Sequence, residues 1–434
     1  MHNIKKVFIL ILLFILIFSI FISYSFGDDT ENSLDYSENQ RQTIQDELLE
    51  TAAENEKDTP IPSINSRSAI VLDRNSNTIL YGKNEREKRK MASTTKIMTS
   101  IIVIENCNLS NTVEISKKSA GTGGSRLGLK TGDKITVNDL LYGLMLCSGN
   151  DAAVALAEYC GGSIEDFAKM MNKKAKELNL ENTSFETPHG LDAPNHYTTA
   201  YELALLSKYA LNNETFSKIV GTKTHTITIN GYPKTISNTN ELLGNLNGVY
   251  GIKTGFTNGA NRCLVTACKR ENMDIICVVL GADTKKFRTQ DSIRLIEYSF
   301  KTFEPVNIQE LLDNKFDNWK KENITSFNII KGESNNVSLK LEKLKYSIIP
   351  IKKDTKDKIS ISFKCNKTLE APVIQGTTIG CATIELDKNK INKDSSSNEI
   401  GKCDILLDCN INKKNILTYL KEFFETYRKL EFKI

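Results

Sequence analysis

The sequence predicts an α+β domain, an antiparallel sheet packed with a helical cluster, followed by a small all-β domain and a C-terminal amphipathic helix. Three observations carry this. Apolar β-like runs open and close the first 305 residues with helical periodicity between them, so one sheet collects both ends of that domain. Past Pro305 short β-rich runs recur between Asn, Lys, Asp and Gly. Near the C-terminus Ile416, Leu417, Leu420, Phe423, Phe424, Tyr427 and Leu430 fall on one helical face. The 434 residues are enough for two or three domains. Hydrophobic residues at 40% and charged residues at 25% exclude a mostly disordered or polytopic membrane chain. A net charge of +4 is too slight to argue for nucleic acid.

Residues 1–27 begin with Lys5 and Lys6 before an apolar run from Val7 to about Phe26, the pattern of an export signal. Ser23, Ser25 and Gly27 offer cleavage sites just before Asp28. A retained single-span anchor competes, because the run approaches the ~20 residues that cross a bilayer. The small-residue exit favours cleavage, and both readings put the rest of the chain outside the cytoplasmic membrane. Residues 28–63, acidic and polar and closing on Pro60 and Pro62, read as a tether.

The domain over 64–305 opens with two strands, 68–72 and 78–81, around a turn at 75–77, and continues into a helix over 94–105. Helical patterns follow at 137–147, 151–159, 163–178 and 198–211. Strands return at 223–230, 249–257, 261–268 and 273–282, and a helix covers 286–303. The domain over 306–411 carries β-rich runs near 325–331, 336–341, 346–350, 358–364, 378–386 and 402–409, with 388–398 as a long polar loop. The helix of 412–434 has Lys413, Lys414, Lys421, Arg428 and Lys429 around its apolar face. It can pack on the β domain or lie in a membrane interface with its cations toward anionic lipid; Glu422, Glu425 and Glu431 dilute the positive face, so the residues support either.

Ten cysteines without any C-x-x-C, and four histidines without H-E-x-x-H, leave the common zinc and thioredoxin designs unsupported, so no metal and no cofactor is expected. Cys147, Cys263, Cys268 and Cys277 lie in apolar runs and read as core residues. Pairing among Cys365, Cys381, Cys403 and Cys409 stays open.

The chemistry-bearing residues come in three short elements. Ser93 and Lys96 stand three apart at a helix start, so both project from one face. A serine hydroxyl needs a proton acceptor, and a lysine serves once its charge is disfavoured. Alone, S-x-x-K occurs by chance in many helices. Ser148-Gly149-Asn150 sits between two helical patterns, and Lys253-Thr254-Gly255 runs into a β-like stretch; the order S-x-x-K, S-x-N, K-T-G makes a specific constellation. Lys130-Thr131-Gly132 spells the last triplet too, but in a polar turn ahead of S-x-N, and is discarded.

These elements, with the flanking runs 124–129, 139–146, 188–192 and 251–257, resemble the penicillin-recognising active-site serine enzymes. Within them, the resemblance is to the D-alanyl-D-alanine carboxypeptidases among the low-molecular-mass penicillin-binding proteins. It implies a β-lactamase/transpeptidase-like fold and removal of the terminal D-Ala from peptidoglycan stem pentapeptides, with β-lactams as inhibitors. It implies Ser93 as nucleophile, Lys96 as its base, and Ser148 as proton relay to the leaving amine. Asn150 would hold Lys96 and the substrate amide, while Lys253 and Thr254 face the terminal carboxylate with Arg288 helping. The N–H groups of Ser93 and Phe256, the latter beside Gly255, would form the oxyanion hole. The resemblance also favours the membrane interface for the terminal helix. His189 and His196 read as parts of a structural loop, and Arg262 as a solvent-facing strand residue.

Three other functions compete. The same residues suit an endopeptidase acting on D-Ala cross-links. A β-lactamase needs a glutamate after S-x-N to activate water, yet Ala175-Lys176-Glu177-Leu178-Asn179 puts Ala where an E-x-x-L-N motif has Glu. A non-catalytic wall-binding protein is disfavoured because every catalytic residue type is present.

Overall fold

The computed structural model describes residues 60–386 and 399–431, together with Gln45 and Glu47. The expected signal or anchor over 1–27, most of the 28–63 tether and the 388–398 loop lie outside the described residues. The chain divides into two compact units between Thr302 and Phe303.

In the first unit β1 (Ser68–Asp73) and β2 (Ile79–Lys83) form a hairpin, and β7 (Val249–Thr257), β8 (Asn261–Arg270) and β9 (Met273–Ala282) form a meander. They assemble in the order β2-β1-β9-β8-β7, every neighbouring pair antiparallel. Central β9 pairs Cys277 with Val71 on one side and Thr266 on the other. It is buried along its whole length, which its Ile and Val content allows. β7 is one of the two edge strands, opposite β2, and it carries Lys253, Thr254 and Gly255.

The helices are α1 (Lys96–Asn106), the short α2 (Lys117–Ala120), α3 (Val137–Leu146), α4 (Asn150–Gly161), α5 (Ile164–Glu177), α6 (Ala200–Leu211), α7 (Glu214–Val220) and α8 (Lys285–Thr302). α1 is buried from Lys96 to Val103 and forms the axis of the cluster. Thr136, Ser163 and Thr199 cap α3, α5 and α6 by accepting from the backbone N–H three residues on. Two ribbons complete the unit, β3 (Thr112–Glu114) with β4 (Lys134–Thr136) and β5 (Thr224–Ile229) with β6 (Tyr232–Ser237).

Three local differences from the sequence reading have physical causes. The helix expected from 94 starts as a 3-10 turn, Ala92–Thr95, because Thr94 and Thr95 bond their hydroxyls back to the carbonyls of Met91 and Ala92. The strand near 223–230 stays outside the main sheet and pairs with β6 through a turn at Asn230 and Gly231, both at positive φ. Beyond α8 the chain turns at once into a strand, Phe303–Asn307.

That strand belongs to the second unit, which contains a helix, Ile308–Asn323, besides its strands. Its apolar face buries Ile308, Leu312 and Phe316, and Phe316 and Trp319 stack beside Phe363. Asn307 caps it. The main sheet has four strands, Leu339–Leu341, Glu399–Leu407, Thr378–Leu386 and Ile359–Cys365 in spatial order. Register decides the open cysteine question in this sheet. Cys365 lies opposite Gly380, Cys381 opposite Lys364 and Asp404, and Cys403 opposite Ala382, so none faces another across the ladder. The ten cysteines are free thiols.

One buried carboxylate joins the start of α4 to the preceding loop. Asp151 accepts from the backbone N–H groups of Leu127, Gly128 and Leu129 at 2.8, 2.8 and 3.0 Å. Asp151→Ala orphans three backbone donors, two of them on the buried Leu127 and Leu129, and should cost about 3 kcal/mol in urea unfolding. An unchanged midpoint would refute that role.

Candidate active site

Ser93 lies in the 3-10 turn that enters α1, half-buried, one residue after Ala92, whose φ of 47° is left-handed. Lys96 is fully buried at the first position of α1. Its Nζ reaches Ser93 Oγ at 2.8 Å, Asn150 Oδ1 at 2.7 Å and the carbonyl oxygen of His189 at 2.8 Å. Three oxygens around one lysine nitrogen match an ammonium with three donors. When the nitrogen is neutral, its lone pair takes one direction, and the serine proton can move along the 2.8 Å contact.

Asn150 opens α4 and also donates from Nδ2 to the carbonyl of Gly123 at 2.8 Å, so its amide is fixed at both ends. Ser148, in the break between α3 and α4, is 3% exposed and has a φ of 61°. A left-handed serine is uncommon and is kept where surrounding structure enforces it. Here Gly149 N bonds Gly143 O and Asn150 N bonds Ser125 O on either side of the break.

On the other wall β7 passes close to the serine turn. A Cβ built on Gly255 would stand 3.1 Å from Ser93 N and 3.2 Å from Thr94 N, so this position favours a residue without a side chain. Lys253 and Thr254 are both buried. Thr254 Oγ1 lies 2.7 Å from Thr239 Oγ1. Phe256 carries the guanidinium of Arg262 over its ring, 3.7 Å from the centroid, so Arg262 has a specific aromatic contact beyond the solvent-facing position expected of it. Asp192 ties the loop after α5 to the end of β7, accepting from Thr257 Oγ1 and Gly259 N, both at 2.9 Å.

Arg288 is buried completely on α8, where its Nη2 donates to Glu241, a carboxylate that also accepts from Thr289. The second K-T-G, Lys130 to Gly132, is an exposed turn closed by Asp133. Direct contacts therefore join Ser93, Lys96 and Asn150, and close approach adds Gly255. Thr239, Glu241 and the carbonyls of His189 and Gly123 were not legible beforehand; two of these act through backbone atoms, which carry no side-chain signal.

Burial, aided by the charge of Lys96, pushes His189 down to about 3, and burial pushes His196 down to about 4. Each Nδ1 accepts a backbone N–H, from Leu191 and Glu186 respectively, which fixes the proton on Nε2.

A hydroxyl hydrogen-bonded to a buried lysine, between a helix start and a sheet edge, is an arrangement suited to serine-type acyl transfer. The description of D-alanyl-D-alanine carboxypeptidases matches residues 53–284, and that of the penicillin-binding protein 5 C-terminal domain matches 319–419. D-alanyl-D-alanine carboxypeptidase DacF of Bacillus subtilis is 34% identical over 328 residues, 74% of this chain and 82% of that one. DacC of Escherichia coli is 40% identical over 269 residues, 59% and 66% of the two chains. Penicillin-binding protein 5 from Haemophilus influenzae superposes with a TM-score of 0.65 at 28% identity, covering 82% of this chain and all of that one. The Streptomyces K15 DD-transpeptidase aligns at 35% identity and a TM-score of 0.54, over 56% of this chain and 99% of its own. The chain belongs to the D-alanyl-D-alanine carboxypeptidase family, and it is a serine-type carboxypeptidase.

The two neutral imidazoles make stability depend on pH. Unfolded, each titrates near 6.5; folded, each stays neutral to about 3 or 4. The unfolded chain thus binds more protons below pH 6.5, and stability present above that value falls as pH drops, by about 2 kcal/mol per histidine at pH 5. Urea midpoints at pH 7.5 and 5 measure this; equal midpoints would contradict it.

Proposed function

We propose that the enzyme removes the terminal D-Ala of peptidoglycan stem pentapeptides through an ester on Ser93. The observation that carries the assignment is the 2.8 Å contact between Lys96 Nζ and Ser93 Oγ inside a polar cluster closed by Asn150. Neutral Lys96 takes the serine proton as Oγ attacks the carbonyl of the penultimate D-Ala. The N–H groups of Ser93 and Phe256 hold the developing oxyanion, and losing one such donor typically costs about 3 kcal/mol in the barrier. Collapse breaks the peptide bond, and the proton that Lys96 took passes through the Ser148 hydroxyl to the departing amine of D-Ala, leaving Lys96 neutral again. Water then attacks the ester as neutral Lys96 takes its proton, and the same proton returns to Ser93 Oγ as the ester bond breaks.

The edge position of β7 supports a substrate lying extended beside it, with its C-terminal carboxylate toward Lys253 and Thr254. In this reading Arg288 acts on that carboxylate only indirectly, since its charge is paired with Glu241. Its buried pairing with Glu241, two residues from Thr239, supports an indirect effect through the Thr239–Thr254 contact. β-Lactams acylate the same serine. Against a β-lactamase stands Ala175, which is buried in α5 and supplies no carboxylate to drive hydrolysis.

The terminal helix, Ile416–Glu431, supports an extracytoplasmic enzyme held at a membrane surface. Ile416, Leu417, Phe423 and Phe424 are 76, 71, 64 and 62% exposed, and Lys413, Lys421 and Arg428 bring positive charge. Among the described residues no helix is long and apolar enough to cross a bilayer.

Two measurements test these assignments. Incubated with monomeric and cross-linked pentapeptide muropeptides, residues 28–434 should remove one alanine mass from the monomer, and Ser93→Ala should not. Cleavage of dimers without trimming moves the function to endopeptidase, and a Ser93-independent loss overturns the nucleophile. In the second, the chain should co-sediment with vesicles containing phosphatidylglycerol and lose at least tenfold in binding when 412–434 are deleted. Equal sedimentation would remove the helix from membrane attachment.

A further inference from the structure

The loop between α5 and α6 clasps the turn that bears Ser93. Gly190, at φ 91°, lies so close that a Cβ there would be 1.9 Å from Ala92 O and 2.7 Å from Thr95 Oγ1. Pro188 O accepts from Thr99 Oγ1 at 2.6 Å, and His189 O accepts from Lys96. Within this clasp His196 is 2% exposed and packs edge-on against Phe185. Its Nδ1 accepts from Glu186 N at 3.0 Å, so the neutral ring carries its proton on Nε2. That nitrogen lies 2.7 Å from Thr95 Oγ1, which in turn donates to Ala92 O at 2.8 Å.

The relay therefore runs from a loop amide through an imidazole and a hydroxyl to the carbonyl of a left-handed residue. Ala92 O belongs to the peptide unit whose nitrogen is Ser93 N. Holding that carbonyl fixes the plane of the peptide and hence the direction of the Ser93 N–H. A residue filling space in a core needs one hydrogen bond per polar atom wherever a partner is at hand. Here both ring nitrogens are used, and they span from the loop to the nucleophile turn.

We infer that His196 is a positioning residue for acyl transfer, aligning the Ser93 N–H and Oγ through Thr95 and the carbonyl of Ala92. The inference rests on Ser93 being the nucleophile. His196 itself touches neither Ser93 nor the cleft in this chain of contacts; it acts through Thr95. Its neutral form is required, because a proton on Nδ1 would oppose the Glu186 N–H.

The test separates the two ends of the imidazole. A glutamine at 196 can reach Thr95 with an N–H as Nε2 does, whereas an asparagine can accept from Glu186 N as Nδ1 does but is too short for Thr95. Acylation by a fluorescent penicillin is followed in the full chain for wild type, His196→Gln, His196→Asn and Thr95→Val, with the non-covalent and covalent steps separated by stopped flow. The expected result is an acylation rate constant lowered about tenfold or more in His196→Asn and Thr95→Val, with pre-acylation binding within about twofold. His196→Gln should recover most of the rate. Urea unfolding confirms that the compared proteins are folded at the assay temperature, and Thr95→Val alone suffices if a His196 variant does not fold. Acylation at the wild-type rate in Thr95→Val, or equal rates in the Gln and Asn variants, overturns the inference. A Ser93→Ala protein that still becomes labelled overturns the nucleophile assignment instead.

Discussion

A lysine nitrogen is held in the interior of the first unit by three oxygens that come from three separate pieces of chain. Burying an amine is costly unless each donor finds an acceptor, so the fold must deliver all three. Ser93 arrives from the same helix start, Asn150 from the start of α4, and the His189 carbonyl from the loop after α5. Much of the architecture around α1 can be understood as what fixes those acceptors. Asp151 gathers three backbone amides beside Asn150, and Asn150 spends its remaining donor on Gly123. The serine hydroxyl is then already in contact with that nitrogen.

The second constraint is close approach. The Ser93 turn is pressed by β7 at Gly255 and by the α5–α6 loop at Gly190, in both cases at distances too short to admit a side chain freely. Two non-glycine residues next to the chemistry, Ala92 and Ser148, sit at positive φ. Such conformations cost on the order of 1 kcal/mol or more, and they persist because the surrounding hydrogen bonds over-determine them. Strain, small residues and buried polar contacts thus occur together around the Ser93 turn.

The second unit obeys a different logic. It has its own cores, built on Leu312, Phe316, Ile384, Ile405 and Leu407, and no part of the Ser93–Lys96 cluster lies in it. Its last helix keeps an apolar face exposed that a soluble fold would ordinarily cover. Lys414, just before this helix, pairs with Glu422 on it, so part of the basic charge is neutralised locally.

The sequence by itself determined the class of fold, the order of its main elements and the family of serine enzymes to which the chain belongs. Period-2 and period-3.6 patterns report which face is buried, and S-x-x-K, S-x-N and K-T-G are local strings that each sit on one element. It also told the Lys253 triplet apart from the one at Lys130, because a polar turn and a buried edge strand differ in their neighbours. The helix Ile308–Asn323 escaped notice: its apolar positions, Ile308, Leu312 and Phe316, are spread among Asn, Asp and Lys that weaken the periodic signal. What only the tertiary structure decided was which partners complete the site. Lys96 closes on a backbone carbonyl, Arg288 on Glu241, and His196 on Thr95. These contacts join residues 93, 47 and 101 positions apart, and hydrogen-bond partners so distant are chosen by packing, which leaves no periodicity for a sequence to display.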